Sequence, residues 1–210
     1  TDFATGEDWT SRYGSYAYNA LYYNKQWENK AQNNKFNATE ALTLHLLPVL
    51  DVKSIFSYDN TAVKDHIYFS ADHFSASSDN GRVHEMRTVY EKMVSSTTAN
   101  YNQSFGDHNV QLMAGFEAEK NKTDFTRSTG TNLPTSTLHT VSTAGSTEAS
   151  GYQWGNSLVS FLSKADYQYA GKYFASASFR RDGSSKLSRN SRWGNFWSFA
   201  GSWNIKHESF

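Results

Sequence analysis

The chain has 210 residues, 20 basic and 20 acidic side chains, and no cysteine. Balanced charge gives no global field to recruit nucleic acid or an acidic membrane surface. The missing thiols exclude a disulfide framework, a thiolate metal site and a cysteine nucleophile. Aromatic residues are 16% of the chain within a modest 38% apolar content, a mixture that favours strands over helices. No run approaches the roughly 18 consecutive apolar residues of a transmembrane helix. The most apolar window, 41–52, is broken by His45, Pro48 and Asp51. A mean hydropathy of −0.69 reads as soluble, but membrane strands need only alternate residues to be apolar. The opening TDFATGEDWT has no initiating Met, basic segment or apolar segment, so the expectation is an internal segment of a longer protein.

Residues 1–35 are polar and read as a long loop with a strand around Tyr16 to Tyr23. Period-two alternation begins at Phe36, with Ala38, Leu42, Leu44 and Leu46 on one side and Asn37, Thr39, Thr43 and His45 on the other. Pro48 breaks it, and Leu50, Val52, Ser54, Phe56 and Tyr58 resume, which predicts a hairpin. The Ser- and Asp-rich stretch 67–81 predicts a loop, followed by a long strand from about His84 to Phe105. GDHN at 106–109 predicts a tight turn, and Val110, Leu112, Ala114 and Phe116 alternate beyond it. The pattern decays into a loop over 127–151. Val159, Phe161, Ala165, Tyr167 and Tyr169 form the next apolar face, against Ser160, Lys164, Asp166 and Gln168, with Leu158 and Leu162 out of pattern. AGK at 170–172 turns the chain into Tyr173, Ala175, Ala177 and Phe179. After a polar loop at 181–191 comes WGNFWSFAGSWNI, whose Trp193, Trp197, Phe199, Trp203 and Ile205 share one face.

Short turns near 48, 106–108 and 170–172 alternate with long polar loops near 67–82, 127–151 and 181–191. In an up-and-down sheet this puts every short connection at one end and every long one at the other, as in outer-membrane barrels. A soluble lectin-like sandwich or jelly roll also fits period-two strands with long loops. The polar face of Ser160, Lys164, Asp166 and Gln168 suits a wet lumen and favours the barrel. The expectation is an all-β, antiparallel up-and-down transmembrane β-barrel segment, about seven strands of a larger barrel. Its lipid-facing or girdle residues would be Phe179, Trp193, Trp197, Phe199, Trp203 and Ile205.

Residues 178–210 carry Arg180, Arg181, Asp182, Gly183, Ser184 and Ser185, then Asn190, Arg192, Trp193, Gly194, Phe196 and Ser198. This ordered set resembles the SusC/RagA-type TonB-dependent transporters of Bacteroidetes outer membranes, in which an RRDGSS-like strand end leads through a loop to an N-x-x-W-G-x-F-x-S strand. YQYAGKYFASASFRRDG at 167–183 and NYNQSFGDHNVQLMAGFEAE at 100–119 resemble further hairpins of the family, and GTN at 130–132 begins a similar outer stretch. The resemblance covers roughly 84–210 well and the earlier part more loosely. It implies a plugged barrel of about 22 strands, with residues 1–210 as a partial barrel domain in which neither the plug domain nor the closing C-terminal strand is recognisable. It further implies the outer membrane as location, outer-membrane lipid as surroundings, TonB and a SusD-like surface lipoprotein as partners through the parent protein, and import of an oligosaccharide or peptide.

Site chemistry is sparse. The neighbours His84 and Glu85, and His207 and Glu208, fall on opposite faces of a strand and form no HExxH or other ligand cluster. Asp79-Asn80-Gly81 reads as turn chemistry. The Arg- and Ser-rich RRDGSS invites a phosphate site, but period-two counting puts Arg180 on the polar face with Ser176 and Ser178, and Arg181 beside Phe179 at the outer rim, where a long cation reaches water. Asp182 and Gly183 would open the loop. No GxSxG occurs, so neither an enzyme, a cofactor nor a metal is expected. Exposed aromatics in or near the long loops, Tyr68, Phe69, Phe74, Tyr152 and Trp154, are candidates for substrate or partner contact, with girdle or loop packing as the favoured plain reading. The alternative to a transporter is a soluble cell-surface β-rich carbohydrate-binding or adhesin module. A passive porin differs only through the missing plug.

Overall fold

The computed structural model describes residues 23–208. Seven strands pair in chain order as one sheet: β1 (Trp27–Leu47), β2 (Leu50–Phe69), β3 (Arg82–Phe105), β4 (His108–Thr131), β5 (Ser146–Tyr169), β6 (Tyr173–Ser184) and β7 (Trp193–Trp203). The expected strand at 16–23 lies outside the described residues apart from Tyr23. Each strand returns antiparallel to the last. Phe179 lies opposite Trp197, Ala177 opposite Phe199 and Tyr173 opposite Trp203, so the apolar parity continues unbroken from β6 to β7. It also continues from β5, where Ala165 faces Ala177 and Tyr169 faces Tyr173. The β5–β6 connection closes with Lys172 N–H donating to Tyr169 O at 2.9 Å. Its two central residues, Ala170 and Gly171, have φ of 53° and 67°, the paired left-handed geometry whose twist matches the flanking strands.

Strands β1 to β5 run further than the alternation predicts. Residues 27–35 are strand, not loop; β2 continues through Ile67, Tyr68 and Phe69; and the expected loop at 127–151 shrinks to 132–145. Arg181 to Ser184 remain in β6, with Asp182 opposite Ser160 and Gly194, so the last loop begins only at Ser185. These extensions carry few apolar residues. Antiparallel backbone pairing and cross-strand polar pairs hold them instead, including Lys122–Glu91 at 3.9 Å and Gln153 Nε2 donating to Asp124 Oδ2 at 2.5 Å.

Contacts divide the chain into two compact units. One comprises 36–60, 90–122 and 154–210 and carries the apolar band, from Leu42, Leu44 and Leu46 through Leu112 and Phe116 to Trp197 and Phe199, all exposed. Leu162, out of pattern in the sequence, sits on the polar face there. Its Cδ1 fills the space where a Gly115 side chain would stand.

The other unit comprises 61–89 and 123–153 with the described residues before 36, and it holds the small buried core. Tyr68, Val83 and Leu133 pack together, with Val141 and Ala144 against them. The 132–145 segment folds back as a strap instead of standing free. Asn132 N–H donates to Asp79 O at 2.8 Å, Leu133 N–H to Asn80 O at 2.9 Å, and Gly145 N–H to Asn132 O at 2.9 Å. The Tyr68 hydroxyl donates to Ser136 O at 3.2 Å, and its ring stacks on His139 at 3.7 Å.

Candidate functional site

In the unit bearing the apolar band, the opposite face is lined by short polar side chains whose charges are matched locally. Arg180 Nε donates to both Asp182 oxygens at 2.7 and 3.0 Å, while Nη2 donates to Ser160 Oγ at 3.1 Å and lies 3.7 Å from Glu117 Oε1. Lys164 Nζ is 2.8 Å from Asp166, which also accepts from Ser176 Oγ at 2.7 Å. Ser178 and Ser198 hydroxyls meet at 2.7 Å. An arginine held by two carboxylates has little left for a phosphate, so this face is a wettable wall.

The rest of RRDGSS stitches the loop mouth. Ser185 N–H donates to Ser157 O at 2.9 Å while Ser157 N–H donates back to Ser185 Oγ at 2.8 Å, and Ser184 N–H donates to Arg192 O at 3.0 Å. Arg181 takes the apolar face, its guanidinium 5.1 Å from the Trp193 ring centre. Gly183 lies directly opposite Trp193 in the ladder, under that ring.

The second unit contains a cavity of about 520 Å³ lined by Asp79, Arg82, His84, Arg127, Thr129, Thr131, Glu148, Ala149 and Ser150. Alternation along β3, β4 and β5 brings Arg82, His84, Arg127, Thr129, Thr131, Glu148 and Ser150 together on one face, and Asp79 joins them from the turn before β3. Arg82 Nε donates to Asp79 Oδ2 at 2.6 Å, and that bond holds the Asp79 carboxyl below its ordinary range. Burial, reinforced by the positive charges of Arg127 and Arg82, pushes the His84 ring below its usual pKa. A neutral ring fits its contacts, since Arg127 Nη2 lies 3.1 Å from His84 Nδ1 and can only donate there. Thr129 Oγ1 is 2.9 Å from the same nitrogen. Two residues along β4 from Arg127, the Phe125 ring stacks on Tyr152 of β5 at 5.1 Å.

The five candidate contact aromatics separate. Tyr68 is not an exposed ring: it is 3% exposed, because the strap covers it. Phe69 and Phe74 are half-buried in a ring cluster, with Phe69 stacked on Trp27 at 6.1 Å and Phe74 on His73 at 4.5 Å. Tyr152 and Trp154 remain exposed, at 55% and 49%, on strand β5 and not in a loop. Lys186 lies over the Trp154 ring at 5.5 Å. The six expected apolar-face residues, Phe179, Trp193, Trp197, Phe199, Trp203 and Ile205, are all exposed, Phe199 most at 74%, but β7 ends at Trp203 and Ile205 opens a 3-10 turn beyond the strand. Among the described residues no group of three or more His, Asp or Glu is arranged to hold a metal ion. Sequence reasoning missed Arg127, His84, Thr129 and Ser150 as a group. Their common signal, polar alternation from Phe125 to Thr131, becomes visible only once β4 is known to continue that far.

No family model matches the chain. TonB-dependent receptor P39 of Formosa agariphila is 29% identical over 197 residues, which cover 85% of this chain and 18% of that protein. TonB-dependent receptor SusC of Bacteroides thetaiotaomicron is 32% identical over 111 residues, covering 52% of this chain and 11% of SusC. The chain thus spans only a tenth to a fifth of the length of these relatives. Among solved structures, the RagAB peptide transporter superposes with a TM-score of 0.86 at 18% identity, over 94% of this chain and 23% of that one. Two faces of opposite polarity, one-ended long loops and these similarities converge: the chain is homologous to the SusC-like TonB-dependent receptors and has the fold of a stretch of their outer-membrane β-barrel.

Proposed function

We propose that this chain is part of the wall and outer loops of an importer that is energised through TonB and takes up an oligosaccharide or peptide with a SusD-like surface lipoprotein. The observation that carries this reading is the similarity to a TonB-dependent receptor along 85% of the chain. The separation of faces supports it. The Phe179, Trp193, Trp197, Phe199, Trp203 and Ile205 side would meet lipid, and the Ser160, Lys164, Asp166 and Arg180 side would line the lumen. Apolar content along the strands supports a membrane span of ordinary height: β7 is 11 residues long, and strands of about 9–11 residues cross a bilayer. Beyond that height the same parity turns polar, as at Lys120 and Lys122 of β4 and Glu91 of β3. Tyr152 and Trp154 are the aromatics best placed for substrate contact, being exposed, whereas Phe69 and Phe74 are engaged in a separate ring cluster with Trp27 and His73.

The test is uptake of the parent protein's nutrient by cells expressing it, with TonB present or deleted, together with affinity purification from the outer membrane. Uptake that requires TonB and a co-purifying surface lipoprotein are expected. Uptake unaffected by TonB loss would point to a passive porin. A parent that stays monodisperse without detergent would point to the soluble binding module.

A further inference from the structure

We propose that the β3–β5 cavity is a subsite for a carboxylate-bearing oligosaccharide, with Arg127 as its anion anchor and the Phe125–Tyr152 pair as its sugar platform. The inference rests on the import reading and names the substrate class that this wall admits.

The charges lining the cavity are not equivalent. Arg82 is held by Asp79, and His84 is an acceptor with burial opposing its charge. Arg127 has no carboxylate within ion-pair distance among the described residues, and its guanidinium rests on the neutral His84 ring. Arg180, by contrast, is closed off by Asp182 and Glu117. A guanidinium keeps five N–H donors in a planar fork that matches a carboxylate. One edge against an imidazole therefore leaves donors over for a ligand anion. Thr129, Thr131 and Ser150 add hydroxyls that can donate or accept.

The cavity volume of about 520 Å³ lies within the roughly 300–1,000 Å³ of small-ligand sites. Phe125 lies two residues from Arg127, and Tyr152 two residues from Ser150, so the stacked rings share the cavity's face. An exposed ring beside hydroxyls and a cation suits a pyranose, whose C–H face lies on the ring while its oxygens reach the polar groups. Strand addition of a peptide at a sheet edge is closed here, because β3, β4 and β5 are interior strands that pair with neighbours on both sides. Glu148 lines the same cavity, has no ion partner among the described residues, and opposes an anion. Its removal should therefore tighten binding, which a merely polar pocket would not do.

The experiment is calorimetric titration of the full-length transporter in detergent with trigalacturonate, maltotriose and triglutamate, which needs neither TonB nor the lipoprotein. A failure of energised uptake therefore leaves this outcome readable. Trigalacturonate should bind more tightly than the other two. Arg127→Gln should weaken it roughly tenfold or more, as loss of a charge-assisted pair does, with maltotriose unchanged. Glu148→Gln should strengthen it, and Tyr152→Ala should weaken both sugars. No trigalacturonate binding, equal loss for both sugars in Arg127→Gln, weakening by Glu148→Gln, or triglutamate binding as tight as trigalacturonate would each overturn the proposal.

Discussion

A methyl group at Gly183 has nowhere to go. The Trp193 indole lies across it, and an ideal Cβ would stand 2.8 Å from Cε3 and Cζ3 of that ring. Space and not backbone conformation therefore keeps glycine here. The displaced indole would also lose the Arg181 guanidinium 5.1 Å from its centre. Gly183→Ala should destabilise the barrel by about 1–3 kcal/mol, as overpacking does, seen as a lower thermal midpoint of the full-length protein in detergent. Gly201→Ala is the matched control, because its nearest neighbour, Phe174 O, is an ordinary 3.7 Å away; it should leave the midpoint nearly unchanged. Equal effects from both would remove the indole as the cause. The parity of Arg180 and Arg181 was legible in the sequence, since counting by two needs only the strand. The Trp193–Gly183 stack was not, because register across the loop depends on where β6 ends.

At the short-turn end the chain leaving β7 is clamped to the β5–β6 turn. Glu208 accepts from the Tyr173 hydroxyl at 2.7 Å, from Lys172 Nζ at 2.9 Å and from Trp203 Nε1 at 3.1 Å. These donors, the tyrosine first, lower its pKa to about 2 from an ordinary 4.5. A carboxyl depressed by folding contributes stability that is complete above its unfolded pKa and is lost as pH falls toward the folded one. Stability should therefore drop between about pH 4.5 and 2, and Glu208→Gln should flatten that part of the pH profile of thermal unfolding. An unchanged slope would mean that the clamp does not form. Elements were legible where one face is apolar: β6, β7 and the lower part of β5 alternate cleanly. They were illegible where both faces are polar, as in 27–35, 127–131 and 146–151. There polar residues occupy both parities and leave no hydrophobic period to read. The strap at 132–145 was hidden for another reason: Leu133 and Val141 are single apolar residues in a Thr- and Ser-rich run, and only Tyr68 and Val83 from distant strands give them a core.

Among the described residues, very few side chains are buried and many large apolar ones are exposed. A water-soluble domain hides such surface, since contiguous exposed apolar patches rarely exceed a few hundred Å². The aromatic band continues across all seven strands, from Phe36 and Leu44 to Trp197 and Phe199. Its lower margin is marked by amphipathic rings, with His108 meeting the Tyr167 hydroxyl at 2.6 Å and Trp203 hydrogen-bonded to Glu208. Such rings belong at the level of lipid head groups, while Trp197, 71% exposed and without a polar partner among the described residues, belongs deeper. The most direct test is fluorescence of the full-length parent in bilayers containing depth-placed quenchers, using versions that retain only Trp197 or only Trp203. Trp197 should be quenched best by the deep quencher and Trp203 by the shallow one. Blue-shifted emission with no quenching at either position would place the aromatic face in a protein core and contradict a lipid-facing wall.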